Sequence, residues 1–264
     1  MKLDIRREDE VRPIADYPIP VEVTGLRQSK LMSPPTFPLW LCISEFDAGG
    51  ALYWSRPHGD EALYVFEGEL DLAGATCRAG GVTVVESDVP ALITVTERSR
   101  IGHYGSWTTS PTTASPLGPP EPDRHVVHVV NEEHTTSVGD PTTVMARFYA
   151  NAGCRTCRLS LFEVTRDRAR PGRPHSHSQD EIIYILDGSM HLGAHLLTTG
   201  TALSIPGHLR YAEGSGEDGC VFLNFRRDVS DRTDFVKGEP PSTSLEGSYA
   251  METGPRGIDV MVEP

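Results

Sequence analysis

The residues best suited to chemistry lie between Pro174 and Tyr211, in P-H-S-H-S-Q-D-E-I-I-Y-I-L-D-G and then G-T-A-L-S-I-P-G-H-L-R-Y. His175, His177 and Glu181 stand at i, i+2 and i+6. In an extended strand, even spacing projects side chains from one face. Two imidazoles and one carboxylate converging on a point suit a divalent transition metal such as Fe, Mn, Ni, Cu or Zn. Ile182 to Leu186 is a run of β-branched and aromatic residues, so a strand is expected from Glu181. The dipeptide Asp187-Gly188 is expected to close it with a turn. Ile183 and Ile185 share the parity of Glu181 and would form an apolar floor against the substrate.

The spacing H-x-H-x3-E-x6-G (His175, His177, Glu181, Gly188) followed by G-x5-P (Gly200, Pro206) resembles the two-part signature of the cupin superfamily. Two departures stand out. Ala169 occupies the place of a glycine six residues before the first histidine, and Tyr211 occupies the place of a fourth ligand, a histidine. The resemblance implies an all-β chain of cupin (double-stranded β-helix, or jelly-roll) barrels. It implies one divalent metal held by His175, His177 and Glu181, iron first, with Mn, Zn or Ni as alternatives. Tyr211 would serve as a metal-bound phenolate or as an acid or base beside the metal, and Tyr211 and Glu181 are the candidate catalytic residues. His208, three residues earlier, is the other candidate for the missing histidine and lies within reach of a substrate. A metal-free pocket descended from such a site is the competing reading of the same residues.

Three function classes follow from the resemblance. The first is an oxidoreductase of dioxygenase type acting on a small oxygen-rich compound. The second is a non-redox isomerase, lyase or hydrolase of an oxo acid or ureido compound. The third is a ligand-binding protein without catalysis. Homodimers occur among such proteins, but two barrels in one chain already resemble a dimer.

The elements that must position this stretch are repeated. Asp60, Glu61, Tyr64, Gly68, Leu72 and Gly80 match Asp180, Glu181, Tyr184, Gly188, Leu192 and Gly200 at a constant offset of 120 residues. Identities in one register across both motif halves indicate a duplication, and hence two tandem barrels. In the first copy Ser55 and Pro57 stand where His175 and His177 do, Glu86 replaces Pro206 and Ala91 replaces Tyr211. His58 and Glu61 remain, at an odd spacing that would put them on opposite strand faces. The chain then divides into an N-terminal arm (1–35), a first barrel with a degraded motif (36–110), a proline-rich linker (111–124), a second, metal-binding barrel (125–228) and an irregular tail (229–264). Strands are expected at Leu39–Phe46 and Ala51–Trp54, on either side of an Ala48-Gly49-Gly50 turn.

Charge sets outer bounds. The 264 residues carry 24 Lys and Arg against 37 Asp and Glu, a net −13. That balance disfavours nucleic acid and anionic membranes as partners and leaves a small molecule. No run approaches the length of a membrane-spanning helix and the first ten residues show no secretory pattern, so a cytoplasmic location is expected. Five cysteines fit a reducing compartment. Cys154 and Cys157 form a lone C-x-x-C, which invites a redox or zinc reading; without a second pair, two reduced turn thiols are expected. His125 and His128, on opposite faces of a strand, are expected at an edge or surface. Arg168, Arg170 and Arg173 lie just before the motif, where they could rim the pocket and attract an anion; Arg173 is the nearest.

Overall fold

The computed structural model describes residues 2–55, 57–108, 126–140, 142–151, 154, 156–235, 242–243 and 257–261. Strands come in chain order. The first nine are β1 (Asp4–Arg7), β2 (Glu22–Leu31), β3 (Leu39–Trp54), β4 (Glu61–Glu67), β5 (Glu69–Leu72), β6 (Ala75–Arg78), β7 (Val82–Val85), β8 (Ala91–Val95) and β9 (Ser99–Ser106). After the linker come β10 (Val126–Val130), β11 (Thr136–Asp140), β12 (Val144–Ala150), β13 (Ser160–Arg166) and β14 (His175–His177). The last are β15 (Glu181–Leu192), β16 (His195–Thr198), β17 (Thr201–Ile205), β18 (Glu213–Arg226), β19 (Asp231–Asp234), β20 (Ser242–Thr243) and β21 (Ile258–Met261). Among the described residues, none forms an α-helix, and no helix is long and apolar enough to cross a membrane.

Every pairing is antiparallel. One sheet runs β21-β10-β7-β4-β9-β3-β8-β5-β6 with β2 on β3; the other runs β1-β17-β15-β18-β13-β12-β11 with β16 on β15. A small sheet, β14-β19-β20, carries the two motif histidines. Alternation along the strands explains how the two large sheets share a core. On β15, Ile183 and Ile185 enter an apolar cluster inside the second sheet, while Ile182 and Tyr184 enter a cluster between the sheets. On β4, Leu63 and Val65 face the inside of the first sheet, and Ala62 and Tyr64 face the shared cluster. Tyr104 and Phe225 meet there with ring centroids 5.4 Å apart.

The repeat reappears in the hydrogen-bond register. Glu61 to Tyr64 pair with Val85 to Val82, and Glu181 to Tyr184 pair with Ile205 to Ala202, the same partners 120 residues on. A bulge follows in both strands, between Val65 and Glu67 and between Ile185 and Asp187.

Several expectations change. Asp187-Gly188 does not end its strand: β15 runs on to Leu192 through a bulge. Gly188 has φ 73°, and a Cβ there would lie 2.3 Å from the Gly219 carbonyl oxygen, so the bulge requires glycine. Likewise β3 is continuous across Gly49 and Gly50, with its first part paired to β9 and its last residues to β8. The expected arm supplies β1, which joins the second sheet, and the ten residues of β2, which join the first. The expected irregular tail contributes β19 and β21, and β10 and β21 extend the first sheet rather than the second. The linker and His125 lie outside the described residues. Ala169 keeps φ 44°, the left-handed conformation a glycine would take freely.

Candidate active site

Strand β14 places His175 and His177 on one face, both buried. Its outer edge pairs with β19, setting His175 opposite Asp234 and His177 opposite Arg232. From the other side, His175 N–H donates to the Tyr211 carbonyl (2.8 Å), Tyr211 N–H returns the bond (2.9 Å), and His208 N–H donates to the His177 carbonyl (2.6 Å). These bonds bring Tyr211 over the histidines. The His175 ring lies 4.5 Å from that of Tyr211 and 5.0 Å from that of His177, edge to face with the latter.

Glu181 opens β15 beneath them and is fully buried. Tyr211 hydroxyl donates to Oε1 of its carboxylate. Oε2 accepts from Asn224 Nδ2 (2.9 Å) and from both Nε and Nη2 of Arg226 (3.2 and 2.7 Å). A cavity of about 100 Å³ opens above, lined by His175, His177, Tyr211, Asn224 and three arginines (Arg166, Arg226 and Arg232), with Ile183, Phe162 and Phe222 on its apolar side. His177 Nδ1 and Asn224 Oδ1 are buried in this wall without a hydrogen-bond partner. Buried polar atoms of native proteins are almost always satisfied, so a pair of orphans around a cavity points to a polar occupant.

Electrostatics fix the protonation states. Burial drives the His177 pKa down to about 2, aided by the Arg226 charge, so the ring is neutral. Burial by itself would raise Glu181, but Arg226, His177 and the hydrogen bonds of Tyr211 and Asn224 hold it down at about 2. Burial and the Glu181 charge push the Tyr211 phenol well above its ordinary range, so it stays protonated. His175 Nδ1 lies 2.8 Å from the Arg173 carbonyl oxygen, with Glu213 Oε2 3.6 Å away. A carbonyl only accepts, so Nδ1 carries a proton, and Nε2 is the ring nitrogen left to exchange one.

Of the sequence-based site residues, His175, His177, Tyr211 and Ile183 line this cavity and Glu181 anchors it through three of the lining side chains. Ile185 is buried in the same apolar cluster but does not reach the cavity. Arg173 is exposed and contributes its main-chain carbonyl, because the chain turns inward only at His175. His208 is also exposed, at φ 63°, and is no stand-in for a fourth ligand. Neither Arg168 nor Arg170 lines the cavity. The arginines that do were missed. Arg226 continues the alternation Phe222, Asn224, Arg226 on the inward face of β18, a period-2 signal present in the sequence. Glu213, ion-paired to Arg166, belongs to a stretch of β18 that also went unread.

The donor set of two histidines and a glutamate has the chemistry of a metal site, but the geometry does not fit one. Both oxygens of Glu181 are occupied by protein donors, and the Arg226 guanidinium already supplies the compensating positive charge. Among the described residues, the donors that gather within 4.8 Å of one another are Glu86, His128, Cys154 and Cys157, not these three.

The equivalent corner of the first sheet is built from different groups. Glu61 Oε2 accepts from Trp54 Nε1 (2.7 Å) and His103 Nε2 (2.9 Å), and His103 Nδ1 accepts from the Tyr17 hydroxyl (2.7 Å). Trp54 pairs with Ala91 as His175 bridges Tyr211, so Trp54, and not Ser55, holds the place of His175. The loop to the glutamate is one residue longer in the first copy. His58 sits in that loop, where strand parity does not apply, and its Nδ1 comes within 4.0 Å of Glu61.

No family model and no curated protein matches the chain. Solved structures share its fold. Oxalate decarboxylase of Bacillus subtilis, in a study of its Mn(II) centres, superposes with TM-score 0.62 at 11% identity, covering 88% of this chain and 79% of that one. A putative glyoxylate-induced protein from Pseudomonas aeruginosa superposes with TM-score 0.65 at 16% identity, covering 84% and 88%. At this identity the likeness is one of fold.

Proposed function

We propose that the cavity over Glu181 is the active site of an enzyme that acts on a small, oxygen-rich anion, a short carboxylate or oxo acid. The observation that carries this is the lining. In a chain of net charge −13, three arginines and two histidines surround one cavity beside a single lining carboxylate, Glu213. Arg166, Arg226 and Arg232 are held in place by Glu213, Glu181 and Asp234, and His177 Nδ1, Asn224 Oδ1, Arg166 Nε and Glu213 Oε2 lack hydrogen-bond partners. Its volume of about 100 Å³ is roughly that of three water molecules in the liquid. A ligand of a few heavy atoms fits. One fold neighbour is an oxalate decarboxylase, whose substrate is a two-carbon dicarboxylate, which supports the same ligand class.

In this reading the arginines fix the carboxylate and His177, held neutral, offers a hydrogen bond. His175 Nε2 accepts a proton, and the Tyr211 hydroxyl donates one once it has turned from Glu181 Oε1, which holds its single proton in this structure, to the ligand. An acid and a base on one face suit proton-transfer chemistry such as isomerisation, elimination or decarboxylation. The oxygenase reading, with Fe at His175, His177 and Glu181, has one observation in its favour, the unpartnered His177 Nδ1. It also requires Arg226 to leave Glu181. We further read the two large sheets as two copies of one barrel, centred on 36–110 and 125–228, on the strength of the shared register.

The test is a thermal-shift panel of short mono- and dicarboxylates and 2-oxo acids beside the matching uncharged amides, followed by turnover assays with and without O2. Charged members should raise the transition temperature and the amides should not. A panel in which no anion stabilises the protein contradicts the reading. Turnover that needs O2 favours the oxygenase.

A further inference from the structure

The C-x-x-C has partners that its sequence neighbourhood does not reveal. Cys154 and Cys157 lie between β12 and β13 of the second sheet. They meet Glu86, which follows β7 of the first sheet, and His128 on β10, and one donor atom from each of the four lies within 4.8 Å of the others. We propose that these four side chains form a zinc site joining the two sheets. This inference does not depend on the activity assigned to the cavity over Glu181.

Four features argue for it. The donors are complete for tetrahedral zinc, and their separations are near the mark: ligand bonds of 2.0–2.3 Å put neighbouring donors roughly 3.3–3.8 Å apart. Cys154 Sγ is 3.9 Å from His128 Nε2, and His128 Nε2 is 2.8 Å from Glu86 Oε1. Soft thiolates with an imidazole select zinc over harder cations. Next, His128 is oriented as a ligand: its Nδ1 lies 2.7 Å from the Asp259 carboxylate, which turns Nε2 toward Glu86 Oε1 and Cys154 Sγ. A carboxylate behind a ligating histidine is the usual support for such a ring. Thirdly, the acidic donors are out of water, with Glu86 2% and Cys157 1% exposed. Glu86 Oε1 accepts from Thr156 Oγ1 and lies 2.8 Å from His128 Nε2, so a zinc ion bound to Oε1 and Nε2 would replace that contact, while Oε2 keeps the Val126 N–H (3.3 Å). Finally, the two cysteines are tied down by their neighbour: Arg158 Nη1 donates to the Cys157 carbonyl (2.9 Å) and to that of Cys154, and Arg158 N–H donates to Asp60 Oδ2 (2.7 Å). His128 is therefore no surface histidine, and the two thiols are more than turn residues. Four protein ligands close the shell, which makes the site structural.

The test begins with elemental analysis of the full-length protein expressed in zinc-supplemented medium. About one zinc per chain is expected, retained in His177→Ala and lost in Cys154→Ser and in Cys157→Ser. A variant that fails to fold is backed by a measurement on the wild type. After chelation, Co2+ added alone should produce thiolate-to-cobalt charge-transfer absorption, and a thiol reagent should reach two more cysteines than in the loaded protein. Zinc that persists in both cysteine variants overturns the proposal. So does a chelated wild type that gives no cobalt–thiolate band, or one whose Cys154 and Cys157 form a disulfide and take up no metal.

Discussion

Glu61 and Glu181 begin equivalent strands, pair with equivalent residues and are equally buried, yet one corner is plugged and the other open. The difference lies in four neighbouring places. Where the second sheet has His175, Asn224, Arg226 and Ser160, the first has Trp54, His103, Gly105 and Trp40. Gly105 leaves the space that the Trp40 indole fills: a Cβ there would lie 2.3 Å from Trp40 Cζ2. Trp40 in turn packs edge-on against His103 at 4.6 Å. Glu61 is thus held by indole and imidazole N–H groups under aromatic cover, whereas Glu181 is held by a guanidinium under a polar cavity. The same backbone yields a structural corner or a chemical one according to whether aromatic volume or fixed charge surrounds the carboxylate.

The sharpest way to break the comparison is Arg226→Met. It leaves the Glu181 charge buried without its partner, which typically costs about 3–5 kcal/mol. Adding Glu181→Leu should recover much of that. Urea unfolding measures both, and a loss below about 1 kcal/mol would show that Arg226 is not what holds the carboxylate.

A pH series sharpens it next. The folded-state pKa values of His177 and Glu181 both lie at about 2, below the ordinary 6.5 and about 4.3 of an unfolded chain. The unfolded chain therefore binds protons that the folded chain refuses, and stability falls as the pH drops. His177 begins to act near pH 6.5, contributing about 2 kcal/mol of loss by pH 5; Glu181 adds to it below about pH 4.5. His177→Asn should flatten the curve between pH 7 and 5. An unchanged slope in that variant would place the proton uptake elsewhere.

In the first sheet the expected effect is smaller. Trp54→Phe removes one donor from Glu61 while His103 remains, a loss of about 1–3 kcal/mol, and turnover should be unchanged. Tyr211→Phe is its mirror: the ring still fills its volume, but Glu181 Oε1 loses its donor, a comparable loss of about 1–3 kcal/mol. Turnover should drop by on the order of the 10²–10⁴-fold typical of a lost general acid. Full activity in Tyr211→Phe would reduce that phenol to a packing group.

Much of this corner was legible in the sequence because strand parity and the 120-residue repeat are local signals. Parity gave His175 and His177 one face, the family resemblance added Glu181, on the next strand, and Tyr211, and the repeat aligned Glu61 with Glu181. What stayed hidden needed a longer view. Asn224 and Arg226 alternate with Phe222 at the end of an apolar run, a local signal, but Glu213 opens the same strand eight residues before that run, in a polar, glycine-rich stretch that does not read as a strand. Trp54 was masked by a one-residue slip in the loop ahead of Glu61. The partners of Cys154 and Cys157 come from Glu86 and His128, and no spacing rule links segments so far apart.

Calorimetric titration of the full-length protein with the short carboxylate that raises its transition temperature most in the thermal-shift panel tests most directly whether the chain has one working corner and one plugged corner. The account expects one ligand per chain, heat that weakens with added salt, affinity reduced at least about tenfold in His177→Ala, and no change in Trp54→Phe. Binding that survives His177→Ala, or that falls in Trp54→Phe, would contradict it.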